Sequence, residues 1–495
     1  MAIASMLIIA LATGGCMVGP DFHQPAAPAV NGYAPEPLPT KTISADTAAG
    51  AAQSFNAGQD IPAQWWTLFR SAQLNQLITE ALAKNPSLKA AQSALRVAAE
   101  NVSAQQGFLY PHLDTGISGG RQSWLFRQKG VPEGVSTPYN LFNAGVSVTY
   151  TLDVFGRIRR QIEAYGAQEE YQRFQLEGSY LALTANVVTA AVQEASLRAQ
   201  IAATLELEKD QGDQLAIVRD EFRLGGASEA EVLAQQTLLA QTDATLPPLR
   251  KQLEIERDLL RLLTGHFPSE DLGEDFNLKN IHLPEDLPVS LPSTLVAQRP
   301  DVRAYEALVH QASAQIGVTT ANMLPQFTIG GNLTTFVGAS VDPGALVFSL
   351  ISGIAQPVFE GGTLLHQRRA AIAGYDEAVA QYRYTVLVAF QNVADALHAL
   401  EADAAAVRAD ALAESSAAQS LGVARAQYNG GYIPYLTLLS AENYYQQTLL
   451  TLIQAEAMRY ADTAALFQAL GGGWWHRSDV KPLDSPLSVR QETKQ

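Results

Sequence analysis

The sequence predicts a mainly α-helical chain that also carries four β-strands of the membrane-barrel type, built as two copies of one structural repeat. Three observations carry this prediction. The tracts 156–222 and 361–428 hold no proline and are dominated by good helix formers such as Ala, Leu, Gln, Glu and Arg. Residues 142–152 alternate strictly, with Phe142, Ala144, Val146, Val148, Tyr150 and Leu152 on one face and Asn143, Gly145, Ser147, Thr149 and Thr151 on the other. That is the period and the length of a strand that crosses a bilayer. Finally, landmarks recur in one order. Asn85-Pro86 and Tyr110-Pro111 bracket a helical pattern that Arg299-Pro300 and Leu324-Pro325 bracket again. Asp153-Val154-Phe155-Gly156 is answered by Pro357-Val358-Phe359-Glu360, and the run from Arg219 to Gly225 by that from Arg425 to Gly431.

Taken in order, residues 1–15 are apolar, then small, and read as an export signal. Cys16 follows two glycines and reads as an acylation site, although Thr13 stands where such a signal usually has Leu. Several acyl chains on one residue hold a protein firmly at a membrane surface. Residues 16–64, rich in Pro, Ala, Gly and Thr, then read as a lipid-anchored tether. The first repeat, 65–265, is expected to run helix, two strands, long helix, glycine turn, helix. Its strands are 109–120, with Leu113, Thr115 and Ile117 on the apolar face, and 142–152. A helix of about 65 residues at 1.5 Å each is ~100 Å long and needs cover along its length. Leu176, Leu183, Val187, Ala190 and Glu194 supply a narrow stripe for coiled-coil packing. A return helix spans 228–264, with Pro247-Pro248 expected to kink or break it. Residues 266–292 form a linker. The second repeat, 293–473, has strands at 326–337 (Phe327, Ile329, Leu333) and 345–358 (Leu346, Phe348, Leu350, Ile354). Its return helix, 434–470, has Pro434 in the first turn, where proline is tolerated. Residues 474–495 form a C-terminal tail.

Four membrane strands cannot close a barrel, and open strand edges are not allowed in lipid. A chain of this kind must oligomerise, with eight strands in a dimer or twelve in a trimer; periodicity alone does not choose. The other reading of the strands is a soluble sheet with one buried face. The neutral opposite face of Asn, Ser, Thr and Gly suits a small polar lumen but does not decide between the two readings; Trp124-Leu125-Phe126 lies in the loop between the first two strands.

Composition narrows the function. A net charge of −16 argues against nucleic acid as the main partner, because phosphate binding needs clustered Lys and Arg. One cysteine excludes an internal disulfide and every zinc site built on two or more cysteines, and no metal site is expected. Outside residues 1–15 no run approaches the ~20 apolar residues of a spanning helix. Neither a GxxxxGK[ST] phosphate loop nor an HExxH helix is present, no cofactor is called for, and no enzyme is expected.

At this level of detail the chain resembles the TolC-like outer-membrane factors, in the NodT or OprM-type lipoprotein branch of tripartite efflux systems. The likeness runs from Cys16 to Trp474. It rests on Cys16-Met17-Val18-Gly19-Pro20-Asp21-Phe22, Trp65-Trp66, Arg299-Pro300-Asp301-Val302-Arg303, Ile316-Gly317-Val318, Leu324-Pro325 and Leu470-Gly471-Gly472-Gly473-Trp474. It implies a homotrimer with a 12-stranded outer-membrane barrel and a 12-helix periplasmic tunnel, the linker 266–292 being equatorial. It implies passive export of small molecules, drugs and toxic organics among them, passed from an inner-membrane RND-type transporter and a periplasmic adaptor.

The resemblance also implies a site. The glycine turns become a periplasmic tip that meets the adaptor, at Phe222, Arg223, Leu224, Gly225, Gly226, Ala227 and Ser228, and at Tyr428, Asn429, Gly430, Gly431, Tyr432 and Ile433. Glycine there frees the backbone to reverse and lets a partner helix approach. Such tips close with Asp and Arg contacts and a tyrosine. Tyr428 matches the tyrosine, but Ser440 stands where the Asp belongs and Asn443 near the Arg. Glu442, or Glu229 and Glu231 of the first repeat, are the candidates for a replacement carboxylate ring at the aperture. Two other readings remain: a lipid-anchored helical periplasmic scaffold, and an outer-membrane duct for metal ions or secreted protein.

Overall fold

The computed structural model describes residues 17–30, 32–35, 39–122, 138–271, 273, 276–338 and 341–478. The signal, Cys16, the Trp124-Leu125-Phe126 loop and residues 479–495 lie outside the described residues. Strand β1 (Ser54–Ala57) leads to a 3-10 turn at Trp65–Phe69, then α1 (Ala72–Lys84) and α2 (Pro86–Gly107). Next come β2 (His112–Gln122), β3 (Tyr139–Leu152), α3 (Arg157–Arg223) and α4 (Glu229–Thr264). The second half has β4 (Asp286–Val289), α5 (Pro292–Gln298), α6 (Pro300–Ala321), β5 (Gln326–Gly338), β6 (Val341–Ala355), α7 (Thr363–Asn429) and α8 (Tyr435–Ala469). The repeat holds to within one residue in its long elements: α2 and α6 have 22 residues each, α3 and α7 have 67 each, and α4 and α8 have 36 and 35.

Boundaries follow local chemistry. Strand β2 begins after Pro111, and β6 stops at Ala355, short of the expected residue 358, because Pro357 has no N–H to give a ladder. Helix α4 runs unbroken through Pro247 and Pro248, contrary to a break there. The prolines withhold two backbone bonds, while Leu238, Thr242, Leu246, Leu253 and Leu260 on both sides stay buried and hold the helix in place.

The chain divides into two compact units. One comprises Met1–Pro25, Ala94–Arg173 and Ala304–Arg383, and contains an antiparallel sheet of order β2-β3-β5-β6. The register sorts its faces into rows. Thr115, Val146, Leu333 and Phe348 lie side by side, as do Leu113, Val148, Gly331 and Leu350. The row between them is polar: Asp114, Ser147, Asn332 and Ser349. The apolar face is uncovered, with Ile117 87% and Phe348 82% exposed. Strands β2 and β6 are its open edges.

Residues 17–24 are docked on this unit rather than free as a tether composition predicts. Arg160, 1% exposed, donates to the carbonyls of Val18 and Gly19 and to Asp21 Oδ1 at 2.8 Å. Gly19 crosses Gly317 so closely that a Cβ there would stand 2.4 Å from the Gly317 Cα. Phe22 stacks on His310 at 4.3 Å. The small residues that read as flexible are what permit this close approach.

The second unit comprises Ala26–Ser93, Phe174–Arg303 and Tyr384–Gln495. Its core joins Trp65, Trp66 and Phe69 to Val187, Leu397, Tyr460 and Phe467. Trp65 stacks on Phe467 at 5.2 Å, and Trp474 donates to the Gln298 carbonyl at 2.6 Å. Parallel pairing of β1 with β4 ties the segment after residue 39 to the linker 266–292. Of the expected stripe, Leu183, Val187, Ala190 and Glu194 are buried and Leu176 is half-buried. Glu194 ends it as an anchor: it accepts from the Phe276 N–H at 3.1 Å and sits 3.4 Å from Arg257.

A second tie on this linker is charge-dependent. His266 places Nε2 2.8 Å from Glu80 and Nδ1 2.6 Å from Glu270. Only the imidazolium donates from both nitrogens. Hydrogen bonds to Glu80 first and Glu270 second hold it above the ordinary 6.5, while both carboxyls are held below 4.5. A raised histidine contributes fully below its unfolded value and is lost as pH rises through the folded one. We expect hydrogen exchange at residues 266–271, corrected for its intrinsic pH dependence, to accelerate as pH rises from the ordinary histidine value of 6.5 through the raised one. His266→Gln should remove that dependence; an unchanged profile would refute the tie.

Candidate functional site

The two glycine turns lie in the second unit and are built alike. Gly225 and Gly431 adopt φ of 79° and 72°, a left-handed conformation that glycine takes without strain. The Gly226 N–H returns to the Glu221 carbonyl at 2.8 Å, and the Tyr432 N–H to the Gln427 carbonyl at 2.9 Å. Each 67-residue helix thus ends in a Schellman-like turn. Ser228 then caps α4: Glu231 N donates to Ser228 Oγ, and Glu231 Oε2 accepts from the Ser228 N–H at 2.6 Å. Pro434 precedes α8 with no side-chain cap.

A small core joins the turns. Val218, Leu421, Ala424, Tyr435 and Leu438 are buried, with Ala227, Val232, Tyr428 and Ile433 packed on them. Three polar links cross it. Tyr428 donates to Glu221 at 2.9 Å, Tyr435 donates to Gln235, and Gln235 donates to the Gln211 carbonyl at 3.0 Å. Tyr428 and Tyr435 meet edge to face at 5.3 Å. Burial, with Glu221 beside it, pushes the Tyr428 phenol up, so it remains a donor at any physiological pH. Outside this core Leu224 and Tyr432 are 88% and 83% exposed, large apolar groups held out by the turns. Phe222, Arg223, Gly226, Ser228, Asn429 and Gly430 are exposed as well, with Arg223 paired to Asp220.

The aperture candidates separate. Ser440 and Asn443 lie on the exposed face of α8, where their side chains donate back to the carbonyls of Leu436 and Leu439. Glu229 is exposed, while Glu231 is taken up by the cap. Glu442 turns inward and is 4% exposed, with Oε1 3.7 Å from Arg425. Arg425 also reaches Asp210 at 3.3 Å, so one guanidinium bridges α3, α7 and α8. Sequence reasoning missed Asp210, Glu221, Gln235 and Arg425 as tip residues. A signal existed for Arg425, since the repeat aligns it with Arg219.

The described residues hold no group of three or more His, Cys, Asp or Glu placed for a metal ion. Gly116-Ile117-Ser118-Gly119-Gly120 has G-x-S-x-G spacing, but it lies inside β2 and Ser118 donates to Asn143. It is not the strand-to-helix elbow that exposes a nucleophile.

An exposed apolar strand face, paired long helices and glycine reversals define a TolC-type channel component, a structural conduit and not an enzyme. The comparisons with known proteins agree. The family model described as "Outer membrane efflux protein" matches residues 77–266 and 291–472. The chain belongs to that family, as an outer-membrane channel component of RND-type tripartite efflux systems. It is 27% identical to the cation efflux system protein CusC of Escherichia coli K12, over 94% of this chain and 98% of that one. It is 28% identical to outer membrane protein OprJ of Pseudomonas aeruginosa, over 95% of each. The outer-membrane channel OprN superposes with a TM-score of 0.81 at 26% identity, covering 93% of this chain and all of that one. The open-state MtrE channel of Neisseria gonorrhoeae shares the fold, with a TM-score of 0.78 at 24% identity, covering 94% and 100%.

Proposed function

We propose that three copies of this chain close a 12-stranded outer-membrane barrel and continue it as a 12-helix periplasmic tunnel, held to the lipid through acylated Cys16. The observation that carries this is the sheet: four strands, an uncovered apolar face and two open edges require other copies in a lipid setting. Export through it is passive. Small molecules arrive from an inner-membrane RND-type transporter through a periplasmic adaptor, which docks on the glycine turns and the exposed Leu224 and Tyr432. Relatives are named for cations, antibiotics, toluene and pyoverdine, so this reading leaves cargo choice to the pump.

The test is single-channel conductance in planar bilayers, with the oligomer mass measured in detergent. A pore-forming trimer supports the reading, and a detergent-independent monomer without channels overturns it. At the aperture, Ser440 and Asn443 leave a neutral ring, with Glu442 behind it. Ser440→Asp is expected to place three carboxylates around the constriction and raise cation selectivity several-fold. Unaltered conductance and selectivity would remove Ser440 from the constriction.

A further inference from the structure

Within the first unit the two strand-to-helix junctions match in sequence but not in cover. After β3, segment 17–24 lies over the junction. Met17 sits so close to Gly156 that a Cβ there would stand 2.6 Å from Met17 Cγ. The Val18 N–H donates to the Phe155 carbonyl at 3.2 Å, and Arg160 donates to Asp21. Phe155 is half-buried and tilts against Phe327, a residue of the apolar sheet face, at 6.4 Å. After β6, the matching Val358 and Phe359 stand uncovered, 92% and 89% exposed. They line a shallow cavity of about 180 Å³ together with Met323, Leu364 and Leu365.

The helices below these junctions differ in charge. Arg160 and Glu163 are the fourth and seventh residues of α3; the fourth and seventh of α7 are His366 and Arg369. Residues three apart share a helix face, and in α3 that face holds the docked segment. In α7 both side chains are exposed, and neither meets a carboxylate among the described residues. Arg368 beside them donates to the neutral Thr320 Oγ1 at 3.1 Å. From 357 to 375 the chain carries one acid, Glu360, against Arg368, Arg369 and His366. Arg369 lies about 9 Å along the helix from its first residue, at 1.5 Å per residue. An apolar pair at the end of a strand, followed at that distance by cations, has the order of an acyl chain and its headgroup phosphate.

We propose that the β6–α7 junction binds an anionic phospholipid of the periplasmic leaflet, with its acyl chain against Val358 and Phe359 and its phosphate on His366 and Arg369. Charge complementarity carries the choice of occupant. In the first repeat Arg160 receives a carboxylate from the chain's own segment; in the second the equivalent face is basic and exposed. The apolar part is continuous with the uncovered sheet face through Ile354, which pairs with Phe327 and is 69% exposed. The depth of the site in the membrane rests on the barrel reading proposed above.

The experiment uses full-length protein purified from outer membranes and reconstituted in vesicles of phosphatidylcholine and phosphatidylglycerol. Phe359→Trp, or Val358→Trp as a second probe, reports fluorescence quenching by the dibrominated form of each lipid. The signal of wild type, with its five tryptophans, is subtracted. Phe348→Trp on the apolar sheet face is the reference. The binding constant for phosphatidylglycerol relative to phosphatidylcholine is expected to be about fivefold higher at Phe359→Trp than at Phe348→Trp. Adding His366→Gln and Arg369→Gln should bring it down to the reference value. Equal constants at the two positions, or a preference indifferent to those two changes, would overturn the headgroup site. Quenching at 348 but at neither 358 nor 359 would mean that a neighbouring copy covers the junction, and the lipid site falls while the barrel reading stands. Quenching at 359 but not at 348 would do the reverse.

Discussion

Phe348→Arg is expected to abolish assembly into the outer membrane, while Ser349→Arg assembles and lowers cation conductance. The two positions are adjacent in β6 but lie on opposite faces. Phe348 belongs to the row Thr115, Val146, Leu333, and Ser349 to the row Asp114, Ser147, Asn332. If the apolar face meets lipid as proposed, an arginine near the bilayer midplane costs about 2–4 kcal/mol per chain, and the proposed trimer incurs it three times. An arginine facing the lumen meets water and acts on passing ions instead. The measurement is the amount of urea-resistant protein in the outer-membrane fraction, followed by conductance of whatever assembles. Normal assembly of Phe348→Arg with loss of Ser349→Arg would reverse the faces of the whole sheet, because one register fixes all four strands.

The second large effect is expected at Arg459. This side chain is fully buried and binds the carbonyls of Ala49 and Ala51 at 2.5 and 2.8 Å and Thr42 Oγ1 at 3.0 Å. It thereby holds the segment 42–51 on α8. Arg459→Ala leaves the Ala49 and Ala51 carbonyls without these donors, while Thr42 Oγ1 keeps the Gln53 N–H, and is expected to destabilise by about 3 kcal/mol or more. Arg459→Lys should recover only part, since an ammonium cannot reproduce the planar fork. Cleavage within 42–53 by limited proteolysis is the readout, and unchanged protection in Arg459→Ala would refute the clamp. The same place carries a pH dependence. Burial first, then the hydrogen bond and charge of Asp462, push the Asp403 carboxyl up to about 7, with Arg459 opposing. A carboxyl raised on folding contributes below its unfolded value and loses that contribution as pH rises through the folded one. Protection of the segment should therefore decline from about pH 4 to about pH 7, and Asp403→Asn should flatten the decline.

The sequence alone determined the repeat, the strand faces and the glycine turns, because each is a short-range pattern. Alternation of period two assigns every side chain of a strand to a face, and a proline-free tract of helix formers continues as helix until a glycine stops it. The ends confirm how local this is: α3 stops at Arg223 and α7 at Asn429, each at its glycine turn. Tertiary structure decided what those patterns leave open. A composition that reads as tether docks through Arg160 and Arg459, because small residues allow close approach and their backbone carbonyls accept from buried guanidinium groups. Two prolines that should interrupt α4 are carried by packing on both sides. Glu442 is one of several acidic residues on helical sequence; only the neighbouring helices show that it faces inward, onto Arg425 and Asp210, while Ser440 and Asn443 face out. Burial of a charge depends on which helices surround it, and that arrangement is set by contacts between residues more than two hundred positions apart, such as Arg425 and Asp210.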